Sequence, residues 1–133
     1  TVYLIDASNF SLRFWERAGG VSADELERGF LAWLADAART EALRASCFRV
    51  VFDGPYRRPA PSGPSITVYY TESEPADEML LERGYFMHTE GARAIIVTSD
   101  NGLRDRASAE GIMTMNCETF QRLADAELRK ESR

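Results

Sequence analysis

A β-strand followed by the start of a helix is encoded by residues 66–78, Ile66-Thr-Val-Tyr-Tyr-Thr-Glu-Ser-Glu-Pro-Ala-Asp-Glu78. The β-branched and aromatic residues of the first half favour an extended strand. Pro75 suits the first position of a helix because its fixed φ is already helical, and the two acids that follow are stabilised there by the helix dipole. The segment therefore predicts a strand at residues 66–71 and a helix at residues 75–89.

The same alternation of strand and helix continues on both sides of this segment. Short apolar runs predict four more strands, at Val2–Asp6, Phe48–Asp53, Ala94–Ser99 and Ile112–Met115. Helical spacing and capping residues predict three more helices, from Ser22 to about Arg44, from Asp100 or Asn101 to about Glu110, and from Cys117 to about Lys130. A polar turn is expected at residues 7–9, and residues 10–21 and 54–65 are predicted to be irregular.

Strands that alternate with helices predict an α/β fold, a three-layer sandwich with a mainly parallel sheet between two layers of helices. The connection at residues 54–65 spans ~3.1 Å per residue when extended, so it is long enough to return along a strand and place the third strand parallel to the second. With 133 residues, the chain is expected to form one domain, residues 1–133, around a core of its own.

Composition limits the classes of function that the chain can serve. The net charge of −5 argues against broad, non-specific coating of nucleic acid, although carboxylates that hold cations would themselves contribute negative charge. No apolar run approaches the ~20 residues that a membrane helix needs, so we expect no membrane partner and a cytoplasmic location. Cys47 and Cys117 are predicted at opposite ends of the sheet, so a disulfide is not expected.

Acidic side chains follow the predicted strands at corresponding places. Asp6, Asp53 and Asp100 come at the carboxyl ends of strands, and Asp77 opens the helix after another strand. Because the carboxyl ends of parallel strands lie at one edge of a sheet, we expect these carboxylates to form one acidic site. Oxygen ligands without Cys or His suit Mg²⁺ or Mn²⁺ rather than zinc. Such a site fits metal-assisted hydrolysis of a phosphodiester bond.

Each of these acids also has a purely structural interpretation. Asp100 can cap a helix, Asp77 is a first-turn acid, and Asp53-Gly54 is a common turn pair. Taken one at a time, the structural interpretations are favoured. They lose weight for the group as a whole, because clustered carboxylates repel one another unless a cation lies between them.

Other chemistries find little support in the sequence. His88 is the only histidine, and it is predicted near the end of its helix farthest from the acids, which argues against a histidine general base. Neither a dinucleotide-binding glycine pattern nor a P-loop is present. Ser8 and Ser99 are predicted near the acidic site, but they lack a histidine partner for triad chemistry.

Basic and aromatic side chains near this edge of the sheet are candidates for contact with a substrate. Arg13, Arg57 and Arg58 could hold phosphates, and Tyr56 could stack on a base. Solvated loop charge is an equally good interpretation of the three arginines.

At these residues the chain is similar to a known family. The motifs Leu-Ile-Asp6-Ala-Ser-Asn9, Val-Val-Phe-Asp53-Gly, Ala-Asp77-Glu78 and Ile-Val-Thr-Ser-Asp100 occur in this order. In order and spacing they resemble the NYN domains of the PIN-like nuclease superfamily, and the nearest match is the YacP-like group of bacterial proteins, regarded as endoribonucleases. The resemblance covers nearly the whole chain.

The resemblance implies a parallel sheet of five strands in the order 3-2-1-4-5, and RNA cleavage that depends on Mg²⁺ or Mn²⁺. Asp6, Asp77 and Asp100 match the metal-binding acids of the family and are the expected catalytic and metal-ligating residues. Asn9 matches the polar residue after the first strand and would orient a metal-bound water or a phosphate. Asp53 is expected to support the site, and Glu78 is either a further ligand or a first-turn acid.

RNA is the partner that the resemblance implies, with Arg13, Arg57 and Arg58 as the expected RNA-binding residues. The basic surface is modest, so we expect help from a partner that presents the RNA, such as the ribosome, as in YacP-like proteins. The Pro-rich connection at residues 54–65 replaces a helix found in many PIN-like domains, so substrate contacts there are expected to differ.

Two other functions remain compatible with the sequence. The acidic net charge and sparse basic surface also fit a module that binds RNA or protein without cutting. The motif Phe52-Asp53-Gly54 also occurs in DNA-directed nucleases of the wider PIN-like and flap-nuclease group, which makes DNA a second candidate substrate.

Overall fold

The structure, a computed structural model, describes residues 1–14 and 22–132, with side chains described for residues 1–10 and 22–132. The described strands are β1 (Val2–Asp6), β2 (Cys47–Phe52), β3 (Ile66–Tyr70), β4 (Ala94–Val97) and β5 (Met113–Met115). The described helices are α1 (Ala7–Phe14), α2 (Ala23–Ala38), α3 (Ala76–Thr89), α4 (Asn101–Ala109) and α5 (Cys117–Glu131). None of them is long and apolar enough to cross a membrane.

The strands form one parallel sheet of five strands in the order β3-β2-β1-β4-β5. Both the predicted fold class and the predicted strand order are confirmed. The order reverses between β1 and β4, because the chain leaves β1 towards β2 on one side and returns to β4 on the other. In sheets of this kind a crevice opens beyond the carboxyl ends of the two strands at the reversal.

Helices cover both faces of the sheet, which gives the predicted three layers. On one face α1, α2 and α5 enclose an aromatic cluster, in which Phe30 and Phe120 contact aromatic side chains of β1 and β2 and Phe10 packs against both of them. On the other face α3 and α4 bury a smaller aliphatic cluster against Leu4 and Ile96. The two clusters together form the core of the domain.

The prediction of a turn and then irregular chain after β1 is wrong for residues 7–14, which form α1. The helix is short, and packing rather than propensity decides its conformation. Phe10 is almost fully buried, and its ring lies 5.1 Å from that of Phe30, measured between centroids. The remaining part of the predicted irregular segment, residues 15–21, lies outside the described residues.

Helix α2 ends at Ala38, six residues before the predicted end at Arg44. Thr40 is buried there, and its hydroxyl donates to the carbonyl oxygen of Ala37 at 2.6 Å. The amides of Leu43 and Arg44 then both donate to the carbonyl of Thr40 and form a turn. The apolar spacing that predicted a longer helix continues through this turn because Leu43 is also buried in the core.

The cysteines are arranged as predicted. Cys47 is exposed at the start of β2, and Cys117 is buried at the start of α5. The two cysteines do not form a disulfide with each other.

The aromatic cluster predicts a large loss of stability when Phe120 is truncated. Its side chain is fully buried, with ring centroids 5.2 Å from Tyr3 and 6.1 Å from Trp33. Phe120→Ala should lower the free energy of unfolding in urea by about 3–4 kcal/mol, because it leaves a cavity that the surrounding rings cannot fill. Phe86→Ala is the control, since Phe86 is 62% exposed, and it should change stability by less than about 0.5 kcal/mol. Equal effects of the two substitutions would contradict the described packing.

Candidate active site

A cavity of about 350 Å³ lies at the carboxyl edge of the sheet, at the reversal of strand order. It is lined by Asp6, Ser8, Asn9, Asp53, Ala76, Asp77 and Asp100. These residues come from β1, α1, the end of β2, α3 and the start of α4. The structure therefore brings together in one cavity all the acids that were predicted to form the site except Glu78, together with Asn9.

Asp6 is the buried member of the cavity. It is the last residue of β1, and its side chain is 8% exposed. Its Oδ2 atom accepts a hydrogen bond of 2.9 Å from the hydroxyl of Thr98, which follows β4 and is itself fully buried. The oxygen of that hydroxyl accepts from the backbone amide of Asp100 at 3.2 Å. One threonine hydroxyl thus links two of the acids, a role that sequence reasoning missed.

Burial raises the pKa of Asp6 to about 6 from an ordinary value of 3.8. The hydrogen bonds from Thr98 and from the backbone of Asn9 act in the opposite direction, and the charges of Asp53 and Asp100 raise the pKa further. The carboxylate of Asp6 is therefore held at a cost in free energy near neutral pH. A cation in the cavity would lower that cost, because it would favour the charged form.

Asn9 and Ser8 fasten α1 to the ends of neighbouring strands. The Oδ1 atom of Asn9 accepts from the backbone amide of Ser99 at 2.8 Å and from the thiol of Cys117 at 3.6 Å. The hydroxyl of Ser8 accepts from the backbone amide of Asp53 at 2.9 Å. The described side-chain bonds of Asn9 all use Oδ1, so its amide NH₂ group is the part suited to donate to a phosphate or to a water.

Asp100 and Asp77 both lie at the start of a helix, as their structural interpretations as a cap and a first-turn acid require. Asp100 caps α4, and its Oδ1 atom accepts from the amide of Leu103 at 3.2 Å. Asp77 lies in the first turn of α3, and its Oδ1 atom accepts from the amide of Glu78 at 3.0 Å. Each carboxylate has a second oxygen, so these local roles coexist with a role in the cavity.

A cation from α4 lies beside the acids of α3. The guanidinium of Arg106 is 2.8 Å from Oε1 of Glu78 and 3.6 Å from Oδ2 of Asp77. Glu78 does not line the cavity and is paired with Arg106. Sequence reasoning missed Arg106, although its position six residues after Asp100, on the helix that starts at the site, was available as a signal.

Arg57 and Arg58, two of the predicted phosphate-binding arginines, do not line the cavity. The guanidinium of Arg57 pairs with Glu27 of α2 and lies over the ring of Tyr70, with its central carbon 4.4 Å from the ring centroid. Glu27 also raises the pKa of Arg57. Arg57 therefore fastens the β2–β3 connection to α2. Arg58 is exposed, and the side chain of Arg13 lies outside the described residues, so RNA contact by either stays a prediction.

The chemistry of the cavity fits Mg²⁺ or Mn²⁺, because its acidic and amide side chains offer oxygen atoms as ligands. Among the residues with described side chains, no three of the type His, Cys, Asp or Glu are placed to hold one ion together. This is compatible with Mg²⁺, which keeps several waters and often takes only one or two carboxylates from the protein. His88 is in the last turn of α3 and does not line the cavity, as predicted.

Two solved structures are similar to this chain over nearly its whole length. The crystal structure of Rae1 (YacP) from Bacillus subtilis has a TM-score of 0.77 at 16% identity, and the match covers 99% of this chain and 78% of that chain. A single-site mutant of the same protein has a TM-score of 0.74 at 20% identity, with 98% of this chain and 77% of that chain covered. The chain has a YacP-like fold. No protein-family model matches the sequence, and no curated protein matches it.

The raised pKa of Asp6 in this YacP-like fold predicts how stability depends on pH. Because the folded state binds the Asp6 proton more tightly than the unfolded state, stability falls as pH rises from about 4 to about 6 and the full cost is present above pH 6. Asp6→Asn removes the charge that is unfavourable at high pH. In EDTA, the change that it causes in the free energy of unfolding should therefore be more stabilising at pH 8 than at pH 4, by about 2 kcal/mol.

Urea denaturation of wild type and Asp6→Asn at the two pH values measures this difference. The matched control is Asp105→Asn, because Asp105 is exposed on α4 and does not line the cavity. The control should show the same small effect at both pH values. If the effect of Asp6→Asn on the free energy of unfolding is the same at both pH values, the raised pKa of the buried Asp6 carboxyl is contradicted.

Proposed function

We propose that the protein is an endoribonuclease that depends on a divalent cation and hydrolyses RNA phosphodiester bonds in the acidic cavity. The observation that supports this proposal most is the convergence of Asp6, Asn9, Asp53, Asp77 and Asp100 at the reversal of strand order. The resemblance of the same motifs to NYN domains of the PIN-like superfamily agrees with it, and so does the YacP-like fold.

Asp6, Asp77 and Asp100 would hold Mg²⁺ or Mn²⁺, one or two of them directly and the rest through bound water, with Asp53 in support. When bound, such a cation activates water for attack and stabilises the leaving oxygen. Asp6 is bonded to Thr98 at the end of β1 and is the most buried of the proposed ligands. The amide group of Asn9 would donate to a phosphate oxygen, because its Oδ1 atom is used by Ser99.

We also propose that Arg106 neutralises Asp77 and Glu78 while no cation is bound. The net charge of −5 disfavours strong autonomous binding of RNA. A partner that presents the RNA, such as the ribosome, would supply the missing affinity. The protein would act in the cytoplasm under this proposal.

A module that binds without cutting is the second candidate. It is favoured by the absence, among the described side chains, of three His, Cys, Asp or Glu residues placed to hold one ion together. A DNA-directed nuclease with the same site is the third. Metal dependence separates the second candidate from the first, and the nature of the substrate separates the third.

Asp77→Asn should abolish cleavage of a labelled single-stranded RNA. The substitution keeps the shape of the side chain but removes one proposed ligand charge. The cleavage rate with Mn²⁺ or Mg²⁺ should fall by about 100-fold or more, since even the loss of a ligand's hydrogen-bond partner costs roughly 10- to 100-fold at metal sites. EDTA should abolish wild-type cleavage, and a DNA strand of the same sequence should be cut more slowly than the RNA.

Asp105→Asn is again the matched control and should cleave as the wild type does, because its side chain is exposed outside the cavity. Cleavage that persists in EDTA or in Asp77→Asn would overturn the proposed site. Preference for DNA would favour the third candidate, and metal-independent RNA binding without any product would favour the second.

A further inference from the structure

A second cavity, of about 580 Å³, lies between α3 and β2, on the face of the sheet opposite the aromatic cluster. We call it the α3 groove and define it by its lining residues Arg49 of β2, Glu74, and Met79, Glu82, Arg83, Phe86 and Met87 of α3. It exists because α3 and α4 pack on β1 and β4, where Leu4 and Ile96 are fully buried, and leave Arg49 only partly covered. Its volume lies within the range of roughly 300–1,000 Å³ found for small-molecule sites.

Two guanidinium groups in the α3 groove, those of Arg49 and Arg83, contact the side chain of Tyr69 and not a carboxylate. The central carbon of Arg83 lies 4.0 Å from the ring centroid of Tyr69, and Nη1 of Arg49 donates to the hydroxyl of Tyr69 at 2.9 Å. The Nε atoms of both arginines are buried without a hydrogen-bond partner. Neither arginine forms an ion pair with any residue in the described ranges, although Glu74 and Glu82 line the same groove.

An anion with a flat apolar part fits this arrangement. The two guanidinium groups can donate to a phosphate, since a planar guanidinium offers paired donors. Met79, Met87 and the 62% exposed Phe86 provide an apolar wall against which a base can stack. Because Glu74 and Glu82 balance the charge of the arginines, contact with a base must supply part of the affinity.

The α3 groove is connected with the acidic cavity through one helix. The first turn of α3 contributes Asp77 to the cavity and Met79 to the groove. Because Glu74 and Met79 lie at the N-terminal end of α3, the groove extends towards the end of the helix that carries Asp77.

We propose that the α3 groove binds a nucleotide of single-stranded RNA outside the cleaved bond, with its phosphate on Arg49 and Arg83 and its base on Phe86. The inference rests on the proposed function for the identity of the ligand. It adds a binding subsite that would position the strand relative to Asp77.

Binding of a fluorescein-labelled decauridylate, measured by fluorescence anisotropy in EDTA, tests the groove without cleavage. Phe86→Ala should raise the Kd about tenfold, because base–aromatic stacking contributes on this scale. Arg83→Gln and Arg49→Gln should each raise it about fivefold and lower the slope of log Kd against log salt by about one.

Matched controls are available for both kinds of change. Tyr85→Ala removes a 53% exposed aromatic on the same helix that does not line the groove, and Arg28→Gln removes an exposed arginine of α2. Both should bind the oligonucleotide as the wild type does. Wild type that does not bind at ~100 µM protein, or groove variants that bind as their controls do, would overturn the proposal.

Failure of the groove and failure of the nuclease give different results. Groove-dependent binding by a protein that never cleaves would leave the groove proposal standing and remove the proposed activity. Cleavage that depends on Asp77 but is unchanged in all the groove variants would support the proposed activity and overturn the groove proposal. Thermal melting checks that Arg49→Gln folds. If that variant does not fold, the binding of Phe86→Ala decides between the outcomes, because Phe86 is exposed and its truncation should not disturb the fold.

Discussion

The hydrogen bond between Thr98 and Asp6 joins the carboxyl ends of β1 and β4, and the arrangement of the acidic cavity depends on this junction. Strands β1 and β4 pair at the reversal of strand order, and their connections leave in opposite directions, so a crevice opens beyond their ends. The Thr98 hydroxyl bridges that crevice by donating to Asp6 and accepting from the amide of Asp100. Asn9 adds a second bridge through the amide of Ser99. Asp6, Asp53 and Asp100 are therefore positioned by the carboxyl ends of β1, β2 and β4, and Asp77 by the first turn of α3.

The negative charge of Asp6 is unfavourable in the folded protein, and a bound cation would relieve this under the proposed function. Burial and two neighbouring carboxylates raise the pKa of Asp6, so an empty cavity holds unfavourable negative charge near neutral pH. Arg106 offsets part of the charge on the outer side, beside Asp77 and Glu78. That ion pair is about half exposed, so water and dissolved salt weaken it strongly. Under the proposed function, a divalent cation would compete with this exposed pair for Asp77.

The sequence predicted the sheet because its five apolar runs are short, separated by helical spacing and followed by polar residues. It predicted the grouping of Asp6, Asp53, Asp77 and Asp100 because strand ends in a parallel sheet share one edge. It could not predict α1, whose conformation depends on Phe10 packing against residues of α2. Nor could it show that Arg57 pairs with Glu27, or that Arg49 and Arg83 meet at Tyr69, because those contacts join residues distant in sequence.

We propose that the acids at the carboxyl edge of the sheet form one cation site. Anomalous diffraction from crystals soaked in MnCl₂ tests it most directly, because it locates the ion without relying on activity. We predict a manganese peak in the cavity, within bonding distance of Asp6 and of Asp77 or Asp100, that is lost in crystals of Asp6→Asn. Crystals that diffract well and show no peak in the cavity, or a peak only elsewhere on the surface, would contradict the account.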